Sequence, residues 1–494
     1  MNVIVVMLDS LRSDHLGCYG NSWIKTPNLD RFASEATVFR RFYAEGLPTL
    51  PVRTALFTGR YTLPYRGWQR LEPDDIPIAE ILWDAGYVTA LVSDTWHLHK
   101  PGMAYERGFD YVIFIRGQEG DPYIQDAEIS LDIWHEKNWY VPSIDIYIPR
   151  EQNKQMFIQY LKNTACWRRK DSWFIRSDED TFVAHVMKSA YSLLKKIVEE
   201  DGRKDKIFMW IDSFDPHEPW DPPEEYYNLY APPDYNGKPI IWGGGFAEEY
   251  TDEEIKHIRA LYAAEVTVVD KWVGWFFDKI KELGLWENTM IIVLSDHGVP
   301  LGENGIIKKY LPWPYEVLSK AVLMIRHPEG VGRGRYIDAW VETVDITPTI
   351  LDFLGIDITK KRSPWSVNPL EIHGKSLIPL ISGDVEEEEF REFAISGHYK
   401  RSYSIRWRNY TYITWPSRVE APYQWGLYEV YRTRIEKTSP ELYKVDRDYI
   451  PPPPKNYDWR KDVIEKENII DIEKDVAKEL EVKLRRKIMQ LLKY

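Results

Sequence analysis

The stretch Asn2-Val3-Ile4-Val5-Val6-Met7-Leu8-Asp9 decides the fold. Six apolar residues in a row, three of them valine and one isoleucine, read as a strand buried on both faces, because a half-exposed strand would alternate with polar residues. Similar runs recur at 87–93, 206–211, 289–295 and 320–325, with helix-like segments between them. This alternation predicts an α/β fold: a mostly parallel sheet sandwiched by helices. The clearest helix is expected over 251–283, where Thr251 and Glu254 make a capping box and Gly284 ends the run. Another is expected over 182–199.

Four of these runs end in aspartate, at Asp9, Asp94, Asp212 and Asp296. In an open parallel sheet the carboxyl ends of the strands form one rim where ligands bind, so several carboxylates are expected to converge there. Taken alone, Asp94 and Asp212 read as turn or cap residues. Asp9 and Asp296 have more informative surroundings. Val293-Leu294-Ser295-Asp296-His297-Gly298 puts two ligand-type side chains at one strand end, and Asp9 adds a third from another. Two carboxylates and an imidazole suit one divalent ion such as Ca²⁺, Mn²⁺, Mg²⁺ or Zn²⁺.

Composition removes other classes. Among 494 residues, 77 acidic against 64 basic side chains give a net charge of -13, which argues against a sequence-independent grip on nucleic acid or an anionic membrane. Only Cys18 and Cys166 occur, so a disulfide scaffold and a thiolate zinc site are excluded; two buried free thiols are expected in preference to one bridge. No apolar run reaches the length of a membrane span, and the strand pattern starts directly after Met1 without a signal-like segment, so the chain reads as soluble and cytoplasmic.

The expected organisation is a catalytic α/β domain over 1–383 and a smaller α+β subdomain over 384–494. Within the first, residues 113–205 loosen into an aromatic, charge-mixed insertion that would shape the substrate site. In the second, 402–407 and 410–415 alternate around Arg408 and Asn409 as a hairpin, and 471–492 is a charged amphipathic helix. Arg116-Gly117-Gln118-Glu119 with Asp121 reads as a structural turn.

About forty residues after Asp9 comes Thr49-Leu50-Pro51-Val52-Arg53-Thr54-Ala55-Leu56-Phe57-Thr58-Gly59. Pro51, Arg53 and Thr58-Gly59 match the nucleophile motif of the sulfatases, so the sequence resembles the sulfatase branch of the alkaline phosphatase superfamily. Other segments agree in order: Asp9-Ser10-Leu11-Arg12, Thr26-Pro27-Asn28, Asp215-Pro216-His217-Glu218-Pro219-Trp220, Ser295-Asp296-His297-Gly298 and Gly374-Lys375-Ser376-Leu377. The resemblance implies that Asp9, Asp296 and His297 hold one divalent ion, with Thr49 beside it as nucleophile and further metal ligand. It implies that Arg53 balances the charge of nucleophile and substrate and that His217 stands near the leaving-group oxygen. His97 and Lys309 would contact the substrate, with Lys308 the alternative to Lys309 by one residue of register.

Departures from the pattern carry as much information. Most sulfatases have Cys or Ser at the nucleophile position, converted to formylglycine; here it is Thr49, so no formylglycine is expected. Thr95 stands where the family often has a lysine, and Ser10 where many members have a second metal-binding aspartate. The resulting expectation is a metal-dependent hydrolase of sulfuric or phosphoric mono- or diesters, acting on a small anionic carbohydrate or aryl ester. Two alternatives stay open: a phosphoryl-group transferase using the same Thr49, and an inactive pseudoenzyme that binds an anion or glycan. A homo-oligomer is compatible with each.

Overall fold

The computed structural model describes residues 1–123, 150–169, 172–233, 235–309, 312–357, 371–415 and 438–492. Strand β1 (Asn2–Leu8) is buried along its whole length. Its odd residues Val3, Val5 and Met7 enter one hydrophobic core and its even residues Ile4, Val6 and Leu8 enter another. Side chains alternate across a strand, so a continuous apolar run requires a covered sheet on both sides.

The sheet has eight strands: β1, β2 (Thr37–Phe39), β3 (Val88–Ser93), β4 (Tyr111–Phe114), β5 (Ile207–Ser213), β6 (Thr289–Leu294), β7 (Leu323–Arg326) and β8 (Tyr336–Ile337). Their order is β8-β2-β7-β6-β1-β5-β3-β4. The block β6-β1-β5-β3-β4 is parallel throughout, with Val3 opposite both Phe208 and Met290. β7 runs antiparallel to β6 and β2. The single strand expected over 320–325 is two strands. Lys320–Ala321 pairs with Phe42–Tyr43 in a separate small sheet, and β7 begins only at Leu323. At the break, Ser295 and Val322 exchange hydrogen bonds at the end of β6: Ser295 N–H to the Val322 carbonyl at 3.0 Å, and Val322 N–H to Ser295 Oγ at 2.8 Å.

Helix α1 (Leu50–Thr58) lies on the face of Val3 and Val5, through Val52 and Leu56. The opposite face is covered by α2 (Phe182–Lys195), which continues into a π turn, and by α3 (Asp252–Glu282). The capping box of Thr251 and Glu254 starts α3, and Gly284 follows it at φ +70°. Of the segment 113–205, residues 124–149 and 170–171 lie outside the described residues. The rest is built into the body: Phe157, Tyr160 and Leu161 join the main core. Cys18 and Cys166 form no disulfide, but the expectation of burial fails, since Cys18 is half-buried and Cys166 is exposed on the turn after helix Arg150–Thr164. Among the described residues no helix is long and apolar enough to cross a membrane.

The C-terminal sheet is antiparallel, in the order β9 (Ala394–His398), β10 (Ser402–Trp407), β11 (Tyr410–Thr414) and β12 (Glu441–Lys444). The β10–β11 hairpin turns at Arg408, φ +52°, and Asn409. Helix α4 (Lys474–Leu491) covers the sheet, packing Leu480 and Leu484 on Ile405 and Tyr412.

A buried ionic junction ties this sheet to the main body. Glu316 accepts hydrogen bonds from Tyr43 Oη at 2.5 Å and Arg406 Nε at 3.2 Å, and pairs with Arg447 at 2.9 Å. Burial raises its pKa, but Arg447 and Arg406 outweigh that and hold it down at about 2. Removing one partner of such a group strands the others in a dry site. Glu316→Ala is therefore expected to destabilise the protein by about 3–5 kcal/mol, measured by denaturant unfolding; an unchanged midpoint would contradict this role.

Candidate active site

The four aspartates that end strands do reach one rim, and Arg53 gathers three of them. Its Nε and one Nη donate to Asp212 at 3.0 and 2.8 Å, the same Nη reaches Asp9 at 3.0 Å, and the other Nη donates to Asp296 at 2.7 Å. A fifth, longer bond goes to the Thr49 carbonyl at 3.4 Å. A guanidinium has five N–H donors, so all are committed. Arg53 thus holds the carboxylates together, and in this arrangement has no donor left for substrate. Asp212 was not singled out by its sequence context. Asp94 remains apart, accepting from the Phe214 N–H at 2.7 Å.

Thr49 is the N-cap of α1, yet its side chain makes no capping hydrogen bond. Threonine at this position ordinarily accepts from an N–H of the first turn. Instead its backbone is at φ +40°, a conformation that is costly for a β-branched residue, and its Oγ1 lies 3.4 Å from His297 Nε2. Four residues on, Arg53 rises from the same face of α1, which is why the motif spacing places the Thr49 side chain and the guanidinium together. Glu45 clamps both flanks of this helix: its carboxylate accepts from Thr62 N–H at 2.8 Å, Thr62 Oγ1 at 2.7 Å and Leu63 N–H at 3.1 Å.

Asp9, Asp296 and His297 present ligand atoms within 4.8 Å of one another, all buried. His297 Nδ1–H donates to the Gly298 carbonyl at 2.7 Å, which fixes the tautomer and leaves the Nε2 lone pair facing the carboxylates. Burial, then Lys309, pushes the His297 pKa well down, so the ring is neutral, as a metal ligand must be. Burial lifts Asp9, but Lys309 and Arg53 more than reverse this and hold it well below the usual range. Asp296 is pushed up to about 7, by burial and then by the charge of Asp9. Three carboxylates against Arg53 and Lys309 leave negative charge uncompensated, and an oxygen-and-imidazole donor set suits a divalent cation. The residues therefore fit the ion.

Lys309 Nζ lies 3.2 Å from Asp9 Oδ1 and 3.3 Å from both Ser10 Oγ and His297 Nε2. Lys308 points elsewhere, pairing with Glu218 at 2.5 Å. His217 stands in a second buried group with Glu119 and Glu218, whose polar atoms also lie within 4.8 Å. Its Nδ1–H donates to the Glu218 carbonyl at 2.6 Å, and burial followed by Lys309 depresses its pKa to about 3. His97 Nε2 is 2.8 Å from Glu119 Oε2. The turn expected around Arg116 is present, with Arg116 and the Gly117 N–H bonded to Asp121. Its further role was missed, since the same turn delivers Glu119 to His97 and Gln118 to Asp215. Thr95, in the place of the family's lysine, donates its hydroxyl to Asp212 at 2.7 Å.

A family profile described as Sulfatase matches residues 1–356, and one described as N-sulphoglucosamine sulphohydrolase, C-terminal, matches residues 302–448. The chain belongs to the sulfatase family of the alkaline phosphatase superfamily, and is an ester hydrolase of that family. It is 25% identical to an N-acetylglucosamine-6-O-sulfatase of Bacteroides thetaiotaomicron, over 87% of this chain and 80% of the relative. It is 24% identical to the multifunctional alkaline phosphatase superfamily protein PehA of Trinickia caryophylli, over 77% of each chain. The crystal structure of the phosphonate monoester hydrolase of Agrobacterium radiobacter shares the fold, with a TM-score of 0.67 and 21% identity over 99% of this chain and 95% of the other.

Glu45 gives a pH test of the helix clamp. Burial pushes its pKa up to about 7 from 4.5, with Thr62 and Leu63 opposing. Between these values the folded protein holds a proton that the unfolded chain has released, so this group's contribution to stability falls as pH rises from 4.5 to about 7. Glu45→Gln is expected to flatten the stability profile across that window, by up to about 3 kcal/mol. Parallel profiles for the two proteins in denaturant titrations would refute it.

Proposed function

We propose that this protein hydrolyses sulfate or phosphate esters through Thr49 as nucleophile. The observation that carries the reading is the unused cap: the Thr49 hydroxyl leaves its helix and faces His297 from a strained backbone. Asp9, Asp296, His297 and Thr49 are the residues that would hold one divalent ion. When bound, the ion would lower the pKa of the hydroxyl and stabilise charge on the transferring oxygens.

The chain's own groups account for the remaining requirements. Lys309 supplies a fixed cation for an oxygen of the sulfuryl or phosphoryl group. Thr49 Oγ1 gives up its proton to bulk water as it bonds to the central sulfur or phosphorus, and the bond to the leaving oxygen breaks. His217 gives that oxygen a proton; the incoming anion raises the pKa that burial and Lys309 depress. Water then bonds to the central atom, giving one proton to the now neutral His217, while the bond to Thr49 Oγ1 breaks and that oxygen takes a proton from bulk water to restore the hydroxyl. Oxidation at Cβ cannot give an aldehyde while the threonine methyl is attached, so hydrolysis of the covalent ester takes the place of the formylglycine route. His97, oriented by Glu119, belongs to the leaving-group side together with His217.

Thr49→Ala is expected to lower turnover by about a thousandfold or more on a panel of aryl sulfate, phosphate monoester, phosphate diester and phosphonate substrates. Folding and metal content should stay near wild type, and unchanged turnover would sink the reading. Chelation should likewise remove activity, with recovery on adding back one of Ca²⁺, Mn²⁺, Mg²⁺ or Zn²⁺. Elemental analysis should then find a single ion per chain; full activity in a demonstrably metal-free sample would contradict the ligand assignment.

A further inference from the structure

Trp68 is 48% exposed. Large aromatic side chains left open to water contribute most when something covers them, and tryptophan offers a rigid flat face at little conformational cost. The position of this one is what gives it meaning. Its ring meets His97 edge-on, at 4.9 Å between centroids and 82° between planes. From His97 a file of rings leads inward, to Phe214 at 6.3 Å and from Phe214 to His217 at 3.9 Å. Trp68 therefore stands at the outer end of the wall that carries the two histidines.

The backbone next to Trp68 is held to the nucleophile turn. Tyr105 Oη lies 3.2 Å from the carbonyl of Leu50, the residue after Thr49, and 3.3 Å from the carbonyl of Gln69, the residue after Trp68. A second aromatic approaches from the C-terminal sheet. A Cβ placed on Gly67 would come within 3.3–3.4 Å of Tyr399, so Tyr399 packs directly on the residue before Trp68. Strand β9, which ends one residue before Tyr399, is itself bonded to the nucleophile loop, the Leu47 N–H donating to the Gly397 carbonyl at 2.8 Å. Both rings thus lie beside backbone that is tied to the Thr49 turn.

We propose that Trp68, with Tyr399 beside it, is a stacking platform for the leaving group, which therefore contains a ring with a flat apolar face, either aryl or pyranose. The proposal rests on the ester-hydrolase reading with Thr49 as nucleophile. With the transferring group held at Lys309 and the leaving oxygen toward His217, the rest of the leaving group extends along the ring file to Trp68.

The test compares wild type, Trp68→Ala and Trp68→Phe on an aryl ester, a pyranose 6-ester and a short alkyl ester of the same acid. Trp68→Ala should lower kcat/KM for a ring ester relative to the alkyl ester by about five- to tenfold, mainly through KM, and Trp68→Phe should recover most of the loss. A loss on the aryl ester alone or on the pyranose ester alone supports the platform and names its ring. An equal loss on all three esters, or an unchanged ratio, overturns it. Binding separates this result from the underlying reaction. Phenyl sulfate and glucose 6-sulfate are titrated calorimetrically into Thr49→Ala and into Thr49→Ala/Trp68→Ala. If wild type cleaves none of the esters, the hydrolase reading fails, while a ring ligand bound by the first variant and weakened in the second still upholds the platform. Equal affinities refute it.

Discussion

Three buried carboxylates on three neighbouring parallel strands are the constraint to which the rest of this molecule answers. Asp9, Asp212 and Asp296 lie at the carboxyl ends of β1, β5 and β6, all fully excluded from solvent. Burial, and then their mutual repulsion, would drive them to take up protons, as the elevated pKa of Asp296 records. Among the described residues the guanidinium of Arg53 is the planar group that reaches all three, and it does so because α1 packs its apolar residues against the sheet directly beneath. Tyr262 of α3 fixes the other side of the rim, donating to the Ser10 carbonyl and accepting from the Arg12 N–H, each at 2.8 Å. Both layers of helix thus serve to hold one small group of charges.

How much of this was legible follows from what kind of fact each residue expresses. The strands of the parallel block could be read because a doubly buried strand must be continuously apolar, and Val3–Leu8 is. The capping box at Thr251 could be read because it is local. The direction of β7 could not, since an apolar run looks the same in either sense, and its break at Val322 depends on where Ser295 ends the neighbouring strand. In the rim, Asp9, Asp296 and His297 stood out through their own neighbours in sequence. Asp212 did not, because its meaning lies in Arg53, 159 residues away. Glu119 was hidden for the same reason: within its turn it is an ordinary polar residue, and only the fold sets it on His97. Lys308 and Lys309 are adjacent, so only the backbone, with Lys308 at φ +68°, decides that one faces Glu218 and the other Asp9.

The acid excess of the chain and the presence of buried cations at its rim are compatible because they act over different distances. The net charge of -13 is carried largely by solvated side chains, whose fields fade within about 8–10 Å in physiological salt. Inside the rim, Arg53 and Lys309 are 0% and 7% exposed, and their fields are screened far less. A small anion at the rim would therefore be governed by the local balance of these cations, the three carboxylates and any divalent ion held there, not by the net charge of the outer surface. A long polyanion, which needs contacts along the outer surface, meets net repulsion.

Threonine at position 49 is intelligible on the same physical terms. A positive φ disfavours β-branched residues by about 1–3 kcal/mol, so serine would adopt the observed φ of +40° at lower cost. What the branch supplies is direction. Two heavy atoms on Cβ restrict χ1, and the γ-methyl occupies one of the positions the hydroxyl would otherwise sample. A serine or threonine hydroxyl at a helix N-cap ordinarily turns back to accept from an N–H of the first turn; at Thr49, with the backbone at φ +40°, it stands instead 3.4 Å from His297 Nε2. Strain in the backbone and stiffness in the side chain together keep the oxygen beside His297 before any substrate arrives, which is the preorganisation that the proposed displacement at sulfur or phosphorus would require.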